Sequence, residues 1–548
     1  MGVDKYVYGY DFGTQSCRLI IVNIKNGQVV AEGEEKYPNG VITENLPGSD
    51  KALPHGWCLQ DPDNYIEAMS NISKKLLSET GICNEDIIGI GTDFTNCTMM
   101  PMDKSGNVLC QKEEFRDNPH SWVKLWKHHA AQQYAEEIES YARLNTEWLV
   151  EYGNNVSSEW FFPKLLQIYR EAPEIYEAAD IFIEAADWIV FKMTGNLIRN
   201  SATLGVNCFW SPERGYPDKT FFYDIEPGLE NVIEEKMKGS IAVVGSYAGH
   251  LTQEFAEKLG LATKTVVSVG HGDSEVAACG TTNVEPGTMI MVMGTSTCHQ
   301  MIYSSKKGIQ GISSVVRDGM IPGYYAYESG QPAVGDIFEW YANVIGSDIS
   351  ILNHLEHKAS ELKAGESGLI ALDWFNGNRS ILTNYDLTGM IMGLTLSTTN
   401  EEIYRSLLES TAFGTKVIID GYESNGIRVN KVIASGGLPR KSKLLMQIYA
   451  DVLNKKVLVP LSTNNSALGA AVCGAVAAKD YGGYESFDEA IEKMVPKNFI
   501  EYIPNENDSE IYQKMFKVFK ALHDYLGGDS ESPMMQLRNI HKSVHFSK

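Results

Sequence analysis

The segment YVYGYDFGTQSCRLIIV, residues 6–22, decides the fold. It consists of two runs of β-branched and aromatic residues, joined by a turn that contains Gly13 and Thr14. This pattern predicts a β-hairpin. A glycine turn between strands exposes backbone N–H groups that can bind a phosphate, and hydroxyl groups add further donors. An ordinary hairpin turn explains the same residues, so the assignment needs support from elsewhere in the chain.

A second segment of the same kind lies far downstream. TMIMVMGTSTCHQMI, residues 288–302, again joins two apolar runs through Gly294 and Thr295. The two glycine turns are 281 positions apart in a chain of 548 residues. A repeat of this period is too long for a solenoid and indicates two related domains. Helical patterns at 159–171 and 180–194 alternate with strands, so we expect an α/β architecture with a cleft between two domains.

The composition restricts the classes of partner. The chain is 43% hydrophobic and 21% charged, which is typical of a globular protein. Its 70 acidic and 47 basic residues give a net charge of −23, which disfavours nucleic acids and anionic membranes as partners. The nine cysteines form no metal-binding or disulfide pattern, and no apolar run approaches the roughly 18 residues of a membrane span. We therefore expect a cytoplasmic protein with reduced cysteines.

The joint between the domains is expected in residues 246–263. This segment leads through a short helix into an apolar strand. We therefore place the amino-terminal domain at residues 1–256 and the carboxy-terminal domain at 257–548. Residues 528–548 are weakly periodic, and we expect them to form a surface tail.

Two aspartates lie beside predicted glycine turns. Asp11 precedes Gly13 by two residues, where a carboxylate can hold Mg²⁺ against a nucleotide phosphate. Asp273 follows the strand and turn of residues 266–272 and opens a helix of small residues. Its position suits an N-cap as well as a general base that takes a proton from a substrate hydroxyl group. The two roles are compatible.

A third glycine turn, Gly436-Gly437, follows the strand predicted at 432–435. Two glycines would let a flat adenine ring lie against the backbone, with Ser442 near its edge. A plain strand-to-helix turn explains them too. Trp126, in the run SWVKLWKHH, suits an aromatic wall for a sugar as well as a buried helix face.

Taken together, these features resemble the FGGY carbohydrate kinases of the actin-like ATPase superfamily, and among them the bacterial L-ribulokinase branch. Long runs carry the resemblance: DFTNCTMMPMD at 93–103, KLWKHHAA at 124–131, SSEWFFPK at 157–164, FNGNR at 375–379 and LMQIYAD at 445–451. The likeness covers nearly the whole chain. It implies two RNase H-like domains that close around ATP and a sugar, with residues 1–256 on the sugar-binding side and 257–548 on the ATP-binding side.

The resemblance also implies roles for individual residues. The residues expected to bind ATP are Asp11, Gly13, Thr14, Gly294, Thr295, Gly436, Gly437 and Ser442. Asp273 matches the catalytic base, and with Asp11 it is expected to hold Mg²⁺. Glu328, in the run YESGQ, matches a contact to a sugar hydroxyl group.

Two positions depart from the ribulokinase pattern. Asn207 stands where that branch carries a lysine, and Asn96 where it often has a small residue. Asn207 cannot supply the charge-assisted hydrogen bond of a lysine, and the side chain of Asn96 fills space in the expected sugar pocket. We therefore expect the sugar pocket of Asn96, Trp126, Asn207, Asp273 and Glu328 to have moved its preference toward another ketopentose or ketose.

The predicted function is ATP-dependent phosphorylation of a primary hydroxyl group of a ketopentose, with ribulose as the first candidate and ATP and Mg²⁺ as cofactors. The alternatives are a kinase for another ketose such as xylulose or erythrulose, and a kinase for a polyol such as glycerol. A third is a non-catalytic actin-like regulator that binds a sugar or nucleotide, although such a protein would not need both Asp11 and Asp273. The sequence leaves the oligomeric state open, with a homodimer as one option.

Overall fold

The computed structural model describes residues 4–282, 285–528 and 531–545. The first half contains the hairpin of residues 6–22 and the elements that follow it. Its helices and strands are β1 (Tyr6–Phe12), β2 (Ser16–Asn23), β3 (Val29–Lys36), β4 (Leu59–Gln60), α1 (Pro62–Thr80), β5 (Ile87–Phe94), β6 (Met99–Met102), β7 (Val123–Lys124), α2 (Gln132–Asn145), α3 (Phe161–Glu171), α4 (Pro173–Ala178), β8 (Ile181–Glu184), α5 (Ala185–Thr194), β9 (Ile198–Asn200), α6 (Ser201–Asn207), α7 (Lys219–Ile225), α8 (Val232–Lys236), β10 (Ser240–Ala242), β11 (Tyr247–His250), α9 (Gln253–Leu259), β12 (Val266–Ser268), β13 (His271–Gly272) and α10 (Asp273–Cys279).

The second half begins with the predicted second hairpin. Its helices and strands are β14 (Thr288–Met293), β15 (Thr297–Tyr303), β16 (Ser314–Arg317), β17 (Tyr325–Gln331), α11 (Gly335–Val344), α12 (Ile351–Ser360), β18 (Ile370–Leu372), β19 (Met390–Met392), α13 (Asn400–Ser424), β20 (Lys431–Ser435), α14 (Leu438–Lys441), α15 (Lys443–Leu453), β21 (Val457–Pro460), α16 (Asn465–Ala477), α17 (Phe487–Met494), β22 (Phe499–Tyr502), α18 (Glu506–Leu526) and α19 (Pro533–His545).

The two main sheets have the same topology. The first has the order β11-β12-β5-β1-β2-β3, and the second has the order β22-β21-β20-β14-β15-β17-β16. In each, the hairpin strand that starts the half is antiparallel to the next strand and parallel to a later one, β5 or β20. Both predicted hairpins are confirmed, and the sequence repeat corresponds to two α/β domains of related topology.

Aromatic packing fixes the ends of β1 and β5. Phe12 stacks on Phe94 with ring centroids 4.7 Å apart, and Tyr65 of α1 packs edge-on against both rings. All three side chains are buried. Because the two strands end at this stack, the residues beside it, at positions 11 and 93, are held at one edge of the sheet.

Helix α16 of the second half packs directly on the first sheet. A Cβ atom at Gly9 would lie 1.8 Å from the carbonyl oxygen of Ala467, and one at Gly91 would lie 1.7 Å from that of Ala470. Only glycine permits so close an approach of helix and strand. The small residues of α16 therefore form a tight seam that joins the halves beside the ends of β1 and β5.

Two regions differ in detail from the expectations. Residues 180–194 do not form one helix, because 181–184 pair with β6 as strand β8 before α5 begins. The expected domain boundary after residue 256 falls within α9 and stays a prediction. The strands that follow α9, β12 and β13, join the first sheet.

The expected surface tail contains α19. Met534 in its first turn is buried, whereas Leu537, Ile540 and Val544 are exposed. Residues 529–530 and 546–548 of the tail lie outside the described residues. Among residues 4–282, 285–528 and 531–545, no helix combines the length and the hydrophobicity that crossing a membrane requires.

Candidate active site

Two carboxylates meet at the ends of β1 and β5. The parallel register pairs Asp11 with Asp93, which are 7% and 0% exposed. No donor among the described residues contacts either carboxylate oxygen of Asp93. Burial, and then the charges of Asp11 and Asp273, raise the pKa of Asp93 well above its usual value. Sequence analysis missed Asp93 as a site residue, although a carboxylate at the end of an apolar strand was the available signal.

Asp273 joins this pair through the short strand β13. His271 is the register partner of Asp93 on β5, and α10 begins two residues later with Asp273. The N-cap position belongs to Gly272, and the backbone N–H of Ser274 donates to Asp273 Oδ1 at 2.8 Å. Burial, followed by the charges of Asp11 and Glu275, raises the pKa of Asp273 to about 7. A half-buried carboxyl group with this pKa suits general base catalysis.

The first glycine turn lies next to Asp11. The backbone N–H of Gly13 donates to the carbonyl oxygen of Ser16 at 3.0 Å and closes the turn. Arg18 Nη1 donates to Asp11 Oδ2 at 3.0 Å, and its side chain is 41% exposed. Trp126 Nε1 donates to Thr14 Oγ1 at 3.2 Å, so the structure brings this half-buried indole to the turn. Sequence analysis missed Arg18, a cation beside the expected phosphate site.

The second and third glycine turns adjoin each other. The parallel register of β14 and β20 brings their ends together, and a Cβ atom at Gly436 would lie 2.4 Å from the carbonyl oxygen of Met293. By contrast, Cβ atoms at Gly294 and Gly437 would meet no atom within 4 Å. The second sheet thus repeats the arrangement at the ends of β1 and β5, with open space at two of its glycines.

Thr295 and Ser442 have structural partners. The carbonyl oxygen of Thr295 accepts from the backbone N–H of Val334 at 2.8 Å, next to the start of α11. Ser442 is the N-cap of α15, and its Oγ accepts from the backbone N–H of Leu445 at 3.1 Å. This bond explains Ser442 without a nucleotide, and a nucleotide role for Ser442 stays a prediction.

A polar cluster lies beside Asp273. Asn96 Nδ2 donates to Glu275 Oε2 at 2.7 Å and to Ser274 Oγ at 3.2 Å. Glu275 also interacts electrostatically with Glu328 of β17, which belongs to the second half. Burial, and then the charge of Glu275, raise the pKa of Glu328 to about 8, while the positive charge of Arg379 acts in the opposite direction. The structure therefore brings Asn96, Asp273 and Glu328 together.

Sequence analysis did not assign Glu275 or Arg379. Glu275 lies in the first turn of α10, where an acidic residue is ordinary. Arg379 stands in a run that only the resemblance singled out. The interaction of Glu275 with Glu328 joins the two halves, and that of Arg379 with Glu328 joins residues far apart within the second half, so no local signal could have found either.

Asn207 lies deeper than expected. It is 0% exposed, its Nδ2 donates to Cys97 Sγ at 3.6 Å, and its Oδ1 accepts from the thiol of Cys208 at 3.0 Å. The ammonium group of Lys164 donates to the carbonyl oxygen of the same Cys97 at 2.6 Å. Asn207 is thus fully enclosed near residue 97, and its contact with a sugar stays a prediction.

Family models match both halves of the chain. The amino-terminal domain of the FGGY family of carbohydrate kinases matches residues 6–280, and its carboxy-terminal domain matches residues 289–478. Curated ribulokinases from Geobacillus thermodenitrificans and Anoxybacillus flavithermus are 45% and 46% identical, over 99% of this chain and 98% of each relative. A solved gluconate kinase from Lactobacillus acidophilus shares the fold, with a TM-score of 0.80 and 19% identity over 96% of this chain and 99% of its own. The chain belongs to the FGGY family of carbohydrate kinases.

Proposed function

We propose that the protein transfers the γ-phosphoryl group of ATP to a primary hydroxyl group of a ketopentose, with ribulose as the first candidate. One observation carries the proposal: Asp273 interacts with Asp11 at the end of β1 and with Asn96 and Glu275 in the polar cluster. The base thus adjoins both the expected phosphate site and the expected sugar site. The names of the curated relatives support a pentulose as the sugar.

The reaction uses Asp273 as the base. Its carboxylate takes the proton of the sugar hydroxyl group, whose oxygen then bonds to the γ-phosphorus as the bond to the β-phosphate oxygen breaks and ADP leaves. Backbone N–H groups of the turns at Gly13 and Gly294 stabilise the negative charge on the transferring group. Arg18, held by Asp11, adds a positive charge at the first turn.

Asp11 and Asp273 fit Mg²⁺. No group of three or more His, Cys, Asp or Glu side chains in the described part of the chain is arranged to hold a metal ion. Mg²⁺ commonly needs only one or two carboxylates together with waters and phosphate oxygens. Asp93 lies beside them, and its oxygens accept no hydrogen bond from the described residues, so a divalent cation would favour the ionised form of this carboxyl group. When bound, Mg²⁺ would neutralise charge on the phosphates of ATP.

The nucleotide would lie along the second sheet. The open space at Gly294 suits a phosphate, and that at Gly437 suits adenosine. Thr14, Thr295 and Ser442 complete the proposed nucleotide site. On the sugar side we propose Asn96, Trp126, Asn207 and Glu328.

A coupled assay of ADP release tests the function. The panel contains L-ribulose, D-ribulose, L-xylulose, D-xylulose, L-erythrulose and glycerol, each with ATP and Mg²⁺. We expect a ketopentose to stimulate ADP release most strongly. No stimulation by any compound would instead support a non-catalytic regulator, and a preference for glycerol would support a polyol kinase.

The same panel tests the expected change in sugar preference. If Asn96 and Asn207 have changed the preference, another sugar of the panel should have a kcat/KM that equals or exceeds that of L-ribulose. We also propose a cytoplasmic location and a homodimer, which fractionation and light scattering would test.

A further inference from the structure

Asn96 and Glu275 form a fixed pair over the backbone that precedes the proposed base. A Cβ atom at Gly272 would lie 2.2 Å from Asn96 Oδ1 and 2.4 Å from Glu275 Oε2. Any larger residue would therefore displace the pair. Ser274 also donates to Glu275 Oε2, at 3.0 Å, so two donors, from Asn96 and Ser274, hold the carboxylate in place.

The cluster contains oxygen atoms whose hydrogen bonds are not made. Asn96 Oδ1 and Glu275 Oε1 are buried and have no partner among the described residues. Gln300 lies directly opposite Glu328 on β15 and β17, so both side chains share one face of the sheet. Gln300 is 0% exposed, and neither polar atom of its side chain has a partner in the described ranges. Buried polar atoms without partners are rare in folded proteins and point to a ligand or an ordered water.

The chemistry of these atoms selects the ligand. Asn96 uses its Nδ2 on Glu275 and Ser274, which leaves only the acceptor Oδ1 for other partners. Glu275 Oε1 is a second acceptor, and Glu328 is a half-buried carboxyl group beside them. Together with the unpaired amide of Gln300, this surface offers mostly acceptors and one donor group, which matches hydroxyl groups that donate and accept, as those of a sugar do.

Glu275 also connects the two halves of the molecule. It lies on α10 of the first half, whereas Glu328 lies on β17 of the second. It is hydrogen-bonded to Asn96 of its own half and interacts through charge with Glu328 of the other. Loss of this carboxylate would leave each partner free to turn.

We propose that Glu275 is a positioning residue that determines sugar specificity, because it orients Asn96 and Glu328 toward adjacent hydroxyl groups of the substrate. The inference rests on the proposed function and extends it. The substrate class is a neutral ketose whose hydroxyl groups beside the phosphorylated end act as hydrogen-bond donors.

The test uses the full chain and the substitution Glu275→Gln, which keeps the size of the side chain. Its Nε2 group would oppose the Nδ2 donors of Asn96 and force one amide to turn. We expect KM for the preferred ketose to rise about tenfold or more, with kcat within about threefold and KM for ATP unchanged. Removing the hydroxyl group at carbon 3 or carbon 4 of the ketopentose should reduce kcat/KM less in the variant than in the wild type.

A double-mutant cycle with Asn96→Ala separates positioning from a general loss of structure. If Glu275 acts through Asn96, the double variant should have a ketose KM within about twofold of the worse single variant. Asp451→Asn is the matched control, because Asp451 is a buried carboxylate on α15 with its own hydrogen bonds. It should leave the KM for ketose unchanged.

The outcomes distinguish the two levels of proposal. A wild-type protein that releases no ADP with any ketose overturns the proposed function and this inference with it. If the wild type is active, three results overturn the inference alone. They are an unchanged ketose KM in Glu275→Gln, an equal change in KM for all sugars and deoxy sugars, and additive effects in the double-mutant cycle.

Discussion

Asp11 and Asp93 are register partners on the parallel strands β1 and β5, so two carboxylates share one buried edge of the first sheet. Asp273 reaches the same edge through β13. Three acidic groups held together in this way repel one another, and among the described residues only Arg18 forms an ion pair with one of them, Asp11. This cost to folding is typical of a site built to bind a cation or to move a proton.

Asp93→Asn should therefore stabilise the protein in the absence of metal. The pKa of this carboxyl group is about 3.9 in the unfolded chain and higher in the folded protein. Its contribution to the stability of the fold is therefore complete below about pH 3.9 and is lost as the pH rises toward the raised pKa. Asparagine does not ionise, so the gain in melting temperature in EDTA should grow from pH 4 to pH 8, to about 2–4 °C. A lower melting temperature, or a difference independent of pH, would contradict the repulsion between the aspartates.

Asp273→Asn should leave ATP binding intact and reduce kcat by about 10²- to 10⁴-fold, because the amide cannot accept the proton of the sugar hydroxyl group. Calorimetry with ATP and Mg²⁺ would measure binding, and the coupled ADP assay would measure kcat. Asp451→Asn again serves as the control. A kcat close to that of the wild type would remove Asp273 from the role of base.

Gly437→Ala and Gly436→Ala form a matched pair at the third glycine turn. Gly436 has φ of 98° and no room for a Cβ atom against Met293, so its substitution should lower the melting temperature. Gly437 has φ of −77° and open space around it. Gly437→Ala should keep the melting temperature and raise the KM for ATP severalfold, because its methyl group would meet the adenosine. An unchanged KM for ATP would show that adenosine binds elsewhere.

Asn207→Lys tests how Asn207 acts. The residue is fully buried, and it contacts the same Cys97 that Lys164 contacts. A second ammonium group would be buried beside that of Lys164, so we expect a loss of about 3 kcal/mol in the free energy of unfolding, measured by denaturant titration. Asn207→Met introduces a side chain of similar length without a charge and should reduce the free energy of unfolding less. If Asn207→Lys is as stable as Asn207→Met and raises kcat/KM for L-ribulose, residue 207 faces the sugar.

Local patterns were sufficient for much of the fold. Apolar runs on either side of a glycine turn predicted both hairpins, and the half-chain repeat predicted two related domains, as the matching sheet orders confirm. The pattern at residues 180–194 was misleading, because 181–184 are apolar in a way that suits a helix or a strand. Pairing with β6 decided for a strand.

The sequence by itself was sufficient to predict the two hairpins, the glycine turns and Asp11 and Asp273 as candidate site residues, because strand, turn and helix signals act over a few residues. The tertiary structure alone decided that Asp93 joins the two aspartates and that Glu275 links Asn96 to Glu328. Those interactions join residues up to about a third of the chain apart, through the pairing of β5 with β1 and β13 and through the placement of α10 against the second sheet. Burial there raises the pKa of Asp273 toward neutrality, and no property of residue 273 and its chain neighbours alone could have shown it.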